Sequence, residues 1–241
     1  MTSAPAASHM AETGESLVTR AMQAISAHVH EAGLRPGQTI PSEAAFALQL
    51  GVSRAVVREA FRSLATVGVI EIGNGRRARV GGIDETVLPI ILNHAVLTDQ
   101  VSIQQIYDVR RAIELRTVAL AALRRSPAEA EALLGLTARM ERDFDTPDKV
   151  KESDIAFHEA IARASRNPLF AAIVSAFRVI TEKTWHTGWS SRPTDAERRA
   201  NVLCHQRIAE AISVQNAREA EALMAEHFDN SVKALLAAGI T

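Results

Sequence analysis

Apolar residues return at helical spacing along most of the chain. Between Ser16 and Glu31, Leu17, Ala21, Ile25 and Val29 recur every fourth position, which predicts an amphipathic helix ended by Gly33 and Pro36-Gly37. The stretch from Pro41 to Gly68 predicts two short helices around a tight turn. Ser42 caps the first with Glu43 in its opening turn, Gly51 closes it, and Ser53 caps the second. In that second helix Val57, Phe61 and Leu64 fall at i, i+4 and i+7, an apolar stripe for the first helix to pack on. Arg54, Arg58 and Arg62 form a neighbouring stripe, offset by about 100° per residue. Such a stripe is ordinarily a solvated face. The period then shortens: Val69-Ile70-Glu71-Ile72 and Arg76-Arg77-Ala78-Arg79-Val80 flank Gly73-Asn74-Gly75, predicting a hairpin with a basic tip. A helix-turn-helix followed by a basic hairpin is the pattern of a winged-helix DNA reader.

Beyond the glycine pair of Gly81 to Glu85, read as an interdomain linker, no strand-like alternation and no internal repeat recurs. Helices are predicted from Val87 to Val96, Ser102 to Arg125, a capping box at Ser126-Pro127-Ala128-Glu129 to about Phe144, about Asp148 to Ala164, Asn167-Pro168 toward Trp185, Thr194 to Ile212, and Asn216 to near Gly239. The predicted fold class is mainly α: an N-terminal winged helix-turn-helix and a C-terminal all-α bundle of six or seven antiparallel helices. The domain division is 1–15 as a small, polar, disordered segment, 16–80 for DNA binding, 81–85 as linker and 86–238 as the bundle.

Length and composition, 241 residues with 47% hydrophobic and 4% aromatic, suit two Ala/Leu-rich helical domains. The net charge of −1 conceals an asymmetry. Residues 16–80 hold 8 Lys/Arg against 4 Asp/Glu, whereas residues from 81 onward hold 19 against 22, so the positive excess lies where DNA binding is predicted. Cys204 is the sole cysteine, which excludes an intramolecular disulfide framework and points to a reducing, cytoplasmic setting. No apolar run is long enough for a bilayer and no secretory signal is evident.

The second domain carries candidate chemistry. Asp154 and His158 are four apart on one predicted helix and project from the same face. His205 and His227 each lie mid-helix among apolar neighbours. Three imidazoles and a carboxylate are a donor set suited to zinc, nickel, manganese or iron, while a core histidine satisfied by a hydrogen bond is the commoner arrangement. Cys204 points about 100° away from His205 and is not counted as a ligand. His28, His30, His94 and His186 have no partner set.

Leu34-Arg35-Pro36-Gly37, Ile40-Pro41-Ser42-Glu43 and Gly51-Val52-Ser53-Arg54-x-x-Val57-Arg58-Glu59-Ala60 with Leu64 resemble the N-terminal domain of GntR-family bacterial transcription regulators. Two positions depart: Ala44 stands where the family commonly has an arginine that touches DNA, and Arg77 where its wing commonly has glycine. Tyr107-Asp108-Val109-Arg110-Arg111-Ala112-Ile113-Glu114, Asp154-x-x-Phe157-His158-x-x-Ile161, Asn167, His205-x-x-Ile208-x-x-Ala211-Ile212 and His227 are similar to the FCD ligand-binding domain of the FadR subfamily. That resemblance implies a divalent metal, zinc first and nickel or manganese next, on Asp154, His158, His205 and His227. It further implies a small carboxylate effector, a sugar acid, hydroxy acid or dicarboxylate, and a homodimer on an operator.

For the effector, Arg110 or Arg111 could clamp a carboxylate, or Arg110 could form a plain helix salt bridge with Glu114. Trp185 and Trp189 are pocket walls or packing, and Asn167 is a helix cap or a ligand contact. DNA contacts are expected from Ser42, Ser53, Arg54, Arg58 and Arg62, with Arg76 and Arg77 on the wing. The favoured function is a non-enzymatic, ligand-responsive regulator that represses. A helical metalloenzyme acting on a small acid would need a general base beside the metal, and a metal-free dimeric DNA-binding protein would ignore chelators.

Overall fold

The computed structural model describes residues 15–73, 76–83 and 85–240. The predicted disorder over 1–14, the hairpin residues Asn74 and Gly75, and Asp84 of the linker lie outside those residues. The chain divides into two compact units between Asp84 and Glu85.

The first unit contains α1 (Leu17–Glu31), α2 (Glu43–Leu50), α3 (Arg54–Thr66), β1 (Ile70–Glu71) and β2 (Arg79–Val80). Each helix begins as its sequence directs: Ser16, Ser42 and Ser53 accept from the backbone N–H three residues on, at 3.1, 3.2 and 3.3 Å. Gly51 ends α2 at φ 66°, the left-handed conformation that glycine adopts without strain. Ile25, Phe46, Val57, Phe61, Leu64 and Ile70 meet in one core, with the Phe46 and Phe61 rings edge to face at 5.9 Å. The hairpin pairs Ile70 with Val80 and Glu71 with Arg79, and Thr39 bridges Arg79 from the other side. The ladder is shorter than the alternation predicts, since Ile72 turns outward and is half exposed.

The two glycines after β2 differ. Gly81 donates its N–H to Val69 O at 2.9 Å, and a Cβ there would sit 1.9 Å from Gly68 O; at Gly82 a Cβ would meet nothing. Gly81 thus belongs to the packed unit. Gly81→Ala is expected to lower stability by about 1–3 kcal/mol, as overpacking does, and Gly82→Ala to have little effect, which urea denaturation of the two variants would compare.

The second unit comprises α4 (Val87–Leu97), α5 (Ile103–Arg124), α6 (Pro127–Arg142), α7 (Pro147–Ala164), α8 (Pro168–Ala176), α9 (Arg178–Ser190), α10 (Asp195–Ser213) and α11 (Ala217–Ala237). Capping boxes start α5, α6 and α10. Val118, Leu133, Met140, Phe157, Ile161, Ile208, Ile212, Met224 and Phe228 fill the core.

One prediction needs correcting. The helix expected from Pro168 to Trp185 is two helices, and the second runs on to Ser190. At Phe177 the N–H returns only three residues, to Val174 O at 3.1 Å, and the ring packs with Ile106 and Ile180. Apolar residues continue across the break, so periodicity could not reveal it. This brings the bundle to eight helices among the described residues. α4 buries none of its residues although it is mostly apolar; Ile90 and Leu97 are 68% and 67% exposed. Among the described residues no helix is long and apolar enough to cross a membrane.

Candidate metal centre and nucleic-acid interface

Three helices bring the four candidate ligands together. Asp154 and His158 come from α7, one turn apart; His205 comes from α10 and His227 from α11, and all four are buried. One ring nitrogen from each histidine lies within 4.8 Å of the others. Asp154 Oδ1 is 3.4 Å from His158 Nε2 and 3.5 Å from His205 Nε2. Adjacent ligands on a tetrahedral zinc with metal–nitrogen bonds of 2.0–2.1 Å are about 3.4 Å apart, so these separations suit a shared ion.

The surroundings fix which lone pairs face inward. His158 Nδ1 faces Glu114 Oε2, and His205 Nδ1 donates to Asn201 O at 2.8 Å. A carbonyl or carboxylate only accepts, so both Nδ1 atoms carry hydrogen, and in the neutral rings that a metal requires the Nε2 lone pairs face Asp154. Asp154 is held in turn, accepting at Oδ2 from Trp185 Nε1 at 2.7 Å, which leaves Oδ1 toward the histidines. His205 Nε2 and His227 Nδ1 are buried without a hydrogen-bond partner. Orphaned buried nitrogens are rare in a folded core, and a cation would satisfy both.

Among these side chains alone His227 is held neutral while His158 keeps a second proton, which a metal would displace. Burial, followed by the positive charge of His205 and His158, holds His227 well below its ordinary range, in the neutral form that ligates metals. Burial also disfavours charge on Asp154, yet His205 and His158 outweigh it and keep the carboxyl well below its usual range. For His158 the Glu114 carboxylate overcomes burial and pushes the imidazole up to about 9.

The remaining candidates separate. Arg110 donates from Nε to Glu114 Oε1 at 3.0 Å and from Nη1 to Thr181 Oγ1 at 2.7 Å, so the helix salt bridge is formed and the guanidinium is buried. Glu114 links Arg110 to His158. Trp185 and Trp189 stack 5.0 Å apart at 15° and wall a cavity of about 50 Å³ beside Asp154, His158 and His227, which Arg110 also lines. Arg111 pairs with Asp229 at the surface, 2.9 Å, and Asn167 caps α8 through Leu169 N–H at 3.0 Å; neither lines that cavity. Cys204 turns its Sγ toward Leu223 O, and burial pushes the thiol up to about 11.

Sequence spacing missed two residues of this neighbourhood, Arg192 and Asn201. Arg192 sits in the short α9–α10 turn, where no periodicity applies. Asn201 lies one helical turn before His205, a position from which its carbonyl reaches the ring.

In the first unit Arg54, Arg58 and Arg62 are exposed along α3, and Arg76 and Arg77 are exposed on the hairpin. Arg58 is drawn to Glu43 on α2 at 3.2 Å, and Arg62 approaches Glu59 at 3.9 Å. Among the described residues Arg54, Arg76 and Arg77 have no ion pair. Ser42 and Ser53 spend their hydroxyl oxygens on capping. This leaves Arg54 on the helix face and Arg76 and Arg77 on the wing with charges open to phosphates and base edges.

Comparison with known proteins gives a consistent set of matches. The model for bacterial regulatory proteins of the gntR family matches residues 17–80, and the FCD domain model matches residues 105–230. The HTH-type transcriptional regulator LutR of Bacillus subtilis is 30% identical over 204 residues, covering 82% of this chain and 91% of that one. The galactonate operon transcriptional repressor of Escherichia coli is 28% identical over 196 residues, covering 77% and 82%. Among solved structures, a Streptococcus agalactiae GntR protein superposes with a TM-score of 0.62 at 22% identity over 88% of this chain and 97% of that chain, a likeness of fold.

Proposed function

Because the chain belongs to the GntR family and joins an FCD domain to its helix-turn-helix, it is a DNA-binding transcription regulator, and we propose that a small carboxylate bound at a divalent metal controls its operator affinity. The matched families and relatives are regulators, which sets the metalloenzyme reading aside. The observation that carries the metal reading is the convergence of one ring nitrogen from each of His158, His205 and His227 within 4.8 Å, with Asp154 Oδ1 beside His158 and His205 and the His205 Nε2 buried without a hydrogen-bond partner. Asp154, His158, His205 and His227 hold the ion, and a metal with open positions supplies Lewis acidity for a carboxylate or hydroxyl. Zinc suits the N/O donor set best.

The protein works as a homodimer and a repressor in this reading. One relative is named a repressor, and the exposed apolar face of α4 offers surface to a second copy. Two copies set two α3 helices in successive major grooves, where Arg54 and Arg58 reach base edges or phosphates while Arg76 and Arg77 follow the backbone. Effector binding then changes operator affinity by linkage.

Gel shifts with DNA from the protein's own promoter region test this. Arg54→Ala is expected to weaken specific binding by about 1–3 kcal/mol, whereas Arg76→Ala weakens all sequences alike and lowers the salt slope by about 1. Failure of the wild type to shift that DNA at low salt would sink the operator assignment. A thermal-shift screen of sugar acids, hydroxy acids and dicarboxylates, with and without chelator, tests the sensing half. Ligand at a hundred times its Kd adds about 2.7 kcal/mol, and chelator should abolish the gain.

A further inference from the structure

The 50 Å³ cavity at the metal ligands has room for a few waters, far below the roughly 300 Å³ of a ligand pocket. A second hollow of about 340 Å³ adjoins it between the end of α9, α10 and α11. Arg192, Asn201 and His227 line both. A metabolite that reaches the metal therefore has its remaining atoms in the outer hollow, past Arg192.

The outer hollow is lined by two cations, Arg192 and Lys233, and two carboxylates, Glu197 and Glu226. Arg192 is half-buried, and burial lowers its pKa against the opposing pull of Asp154 and Glu197; its hydrogen-bond partners are neutral, Gly188 O and Asn201 Oδ1, the latter at 3.3 Å. Among the described residues no carboxylate pairs with Arg192 or with Lys233, which also lines the hollow. The two acids there are already engaged. Glu197 accepts from Thr194 N–H and O–H at 3.0 and 2.9 Å, and Glu226 faces Arg207 at 3.8 Å. Arg192 therefore stands where the two chambers meet with no carboxylate of the described residues in contact, placed to donate a charge-assisted hydrogen bond to an anion that spans them. Asn201 ties the chambers together, its side chain accepting from Arg192 while its carbonyl holds His205.

We infer that Arg192, with Lys233, reads a second acidic group on the effector, so that the preferred ligand is a hydroxy or sugar diacid with one end at the metal and the other in the outer hollow. This rests on the metal-site reading given above and narrows its ligand class from acids in general to two-ended acids.

Titration calorimetry of the zinc-loaded full chain tests it with matched pairs: lactate against malate, 2-hydroxybutyrate against 2-hydroxyglutarate, galactonate against galactarate. At least one diacid is expected to bind about tenfold tighter than its monoacid. Arg192→Gln should remove that difference by weakening the diacid more than its matched monoacid. Equal affinity within every pair overturns the inference with no variant needed. So does an Arg192→Gln protein that keeps the diacid preference, or one that loses monoacid and diacid alike, which would place Arg192 on the shared hydroxy-acid end. Zinc binding without a diacid preference defeats this inference alone; no zinc binding at all defeats the metal reading as well.

Discussion

His205→Ala is expected to abolish binding of the proposed metal. Losing an outer partner of a metal ligand costs about 10–100-fold in affinity, and removing one of four ligands exceeds that. The change also leaves Asp154 Oδ1 without one of its two imidazole neighbours and His227 Nδ1 without a shared ion. Metal content after dialysis against trace zinc should fall from about one ion per chain to a small fraction. The thermal shift given by carboxylates should disappear with it. His186→Ala serves as the control, since that imidazole is exposed and pairs with Asp148 at 3.0 Å, outside the ligand set. Retention of zinc by His205→Ala at wild-type affinity would remove α10 from the site.

Glu114→Ala is expected to be the most destabilising single change in the bundle. Glu114 and Arg110 are 1% and 5% exposed, and the carboxylate also meets His158. Burial works against both charges, yet Arg110 and His158 hold the Glu114 carboxyl below its ordinary range. Breaking a buried pair from one side strands the other charge and costs about 3–5 kcal/mol. Chemical denaturation should show that loss. Arg110→Met combined with Glu114→Ala should recover part of it, because no guanidinium is then stranded. A loss under about 1 kcal/mol in the single variant would contradict the pairing. Glu114→Ala should also weaken metal binding by about 10–100-fold through the freed His158 ring.

Local signals carried much of this molecule. The serine caps at 42 and 53, the αL glycine at position 51 and the capping box at Ser126 announced where helices start and stop, and every one of those caps is formed. The Asp154–His158 spacing placed two candidate ligands on one face, since i and i+4 neighbours on a helix are fixed by its pitch. Resemblance to a known domain named His205 and His227, which no periodicity ties to α7. Contacts over long separations stayed hidden. Glu114 meets His158 across 44 residues, and Trp185 reaches Asp154 across 31. The role of Gly81 was equally silent, because crowding against Gly68 O depends on how the end of the hairpin packs. Arg110 shows the middle case: its spacing to Glu114 left both a clamp and a salt bridge open, and packing made the salt bridge.

The thiol of Cys204 has a practical corollary. With its proton held to about pH 11, only about one molecule in ten thousand carries a reactive thiolate at neutral pH. Alkylating reagents and mild oxidants should pass over the native chain. A cysteine engineered onto α3 would then be its sole nucleophilic handle, so a fluorophore or spin label could be attached there without first removing the natural residue.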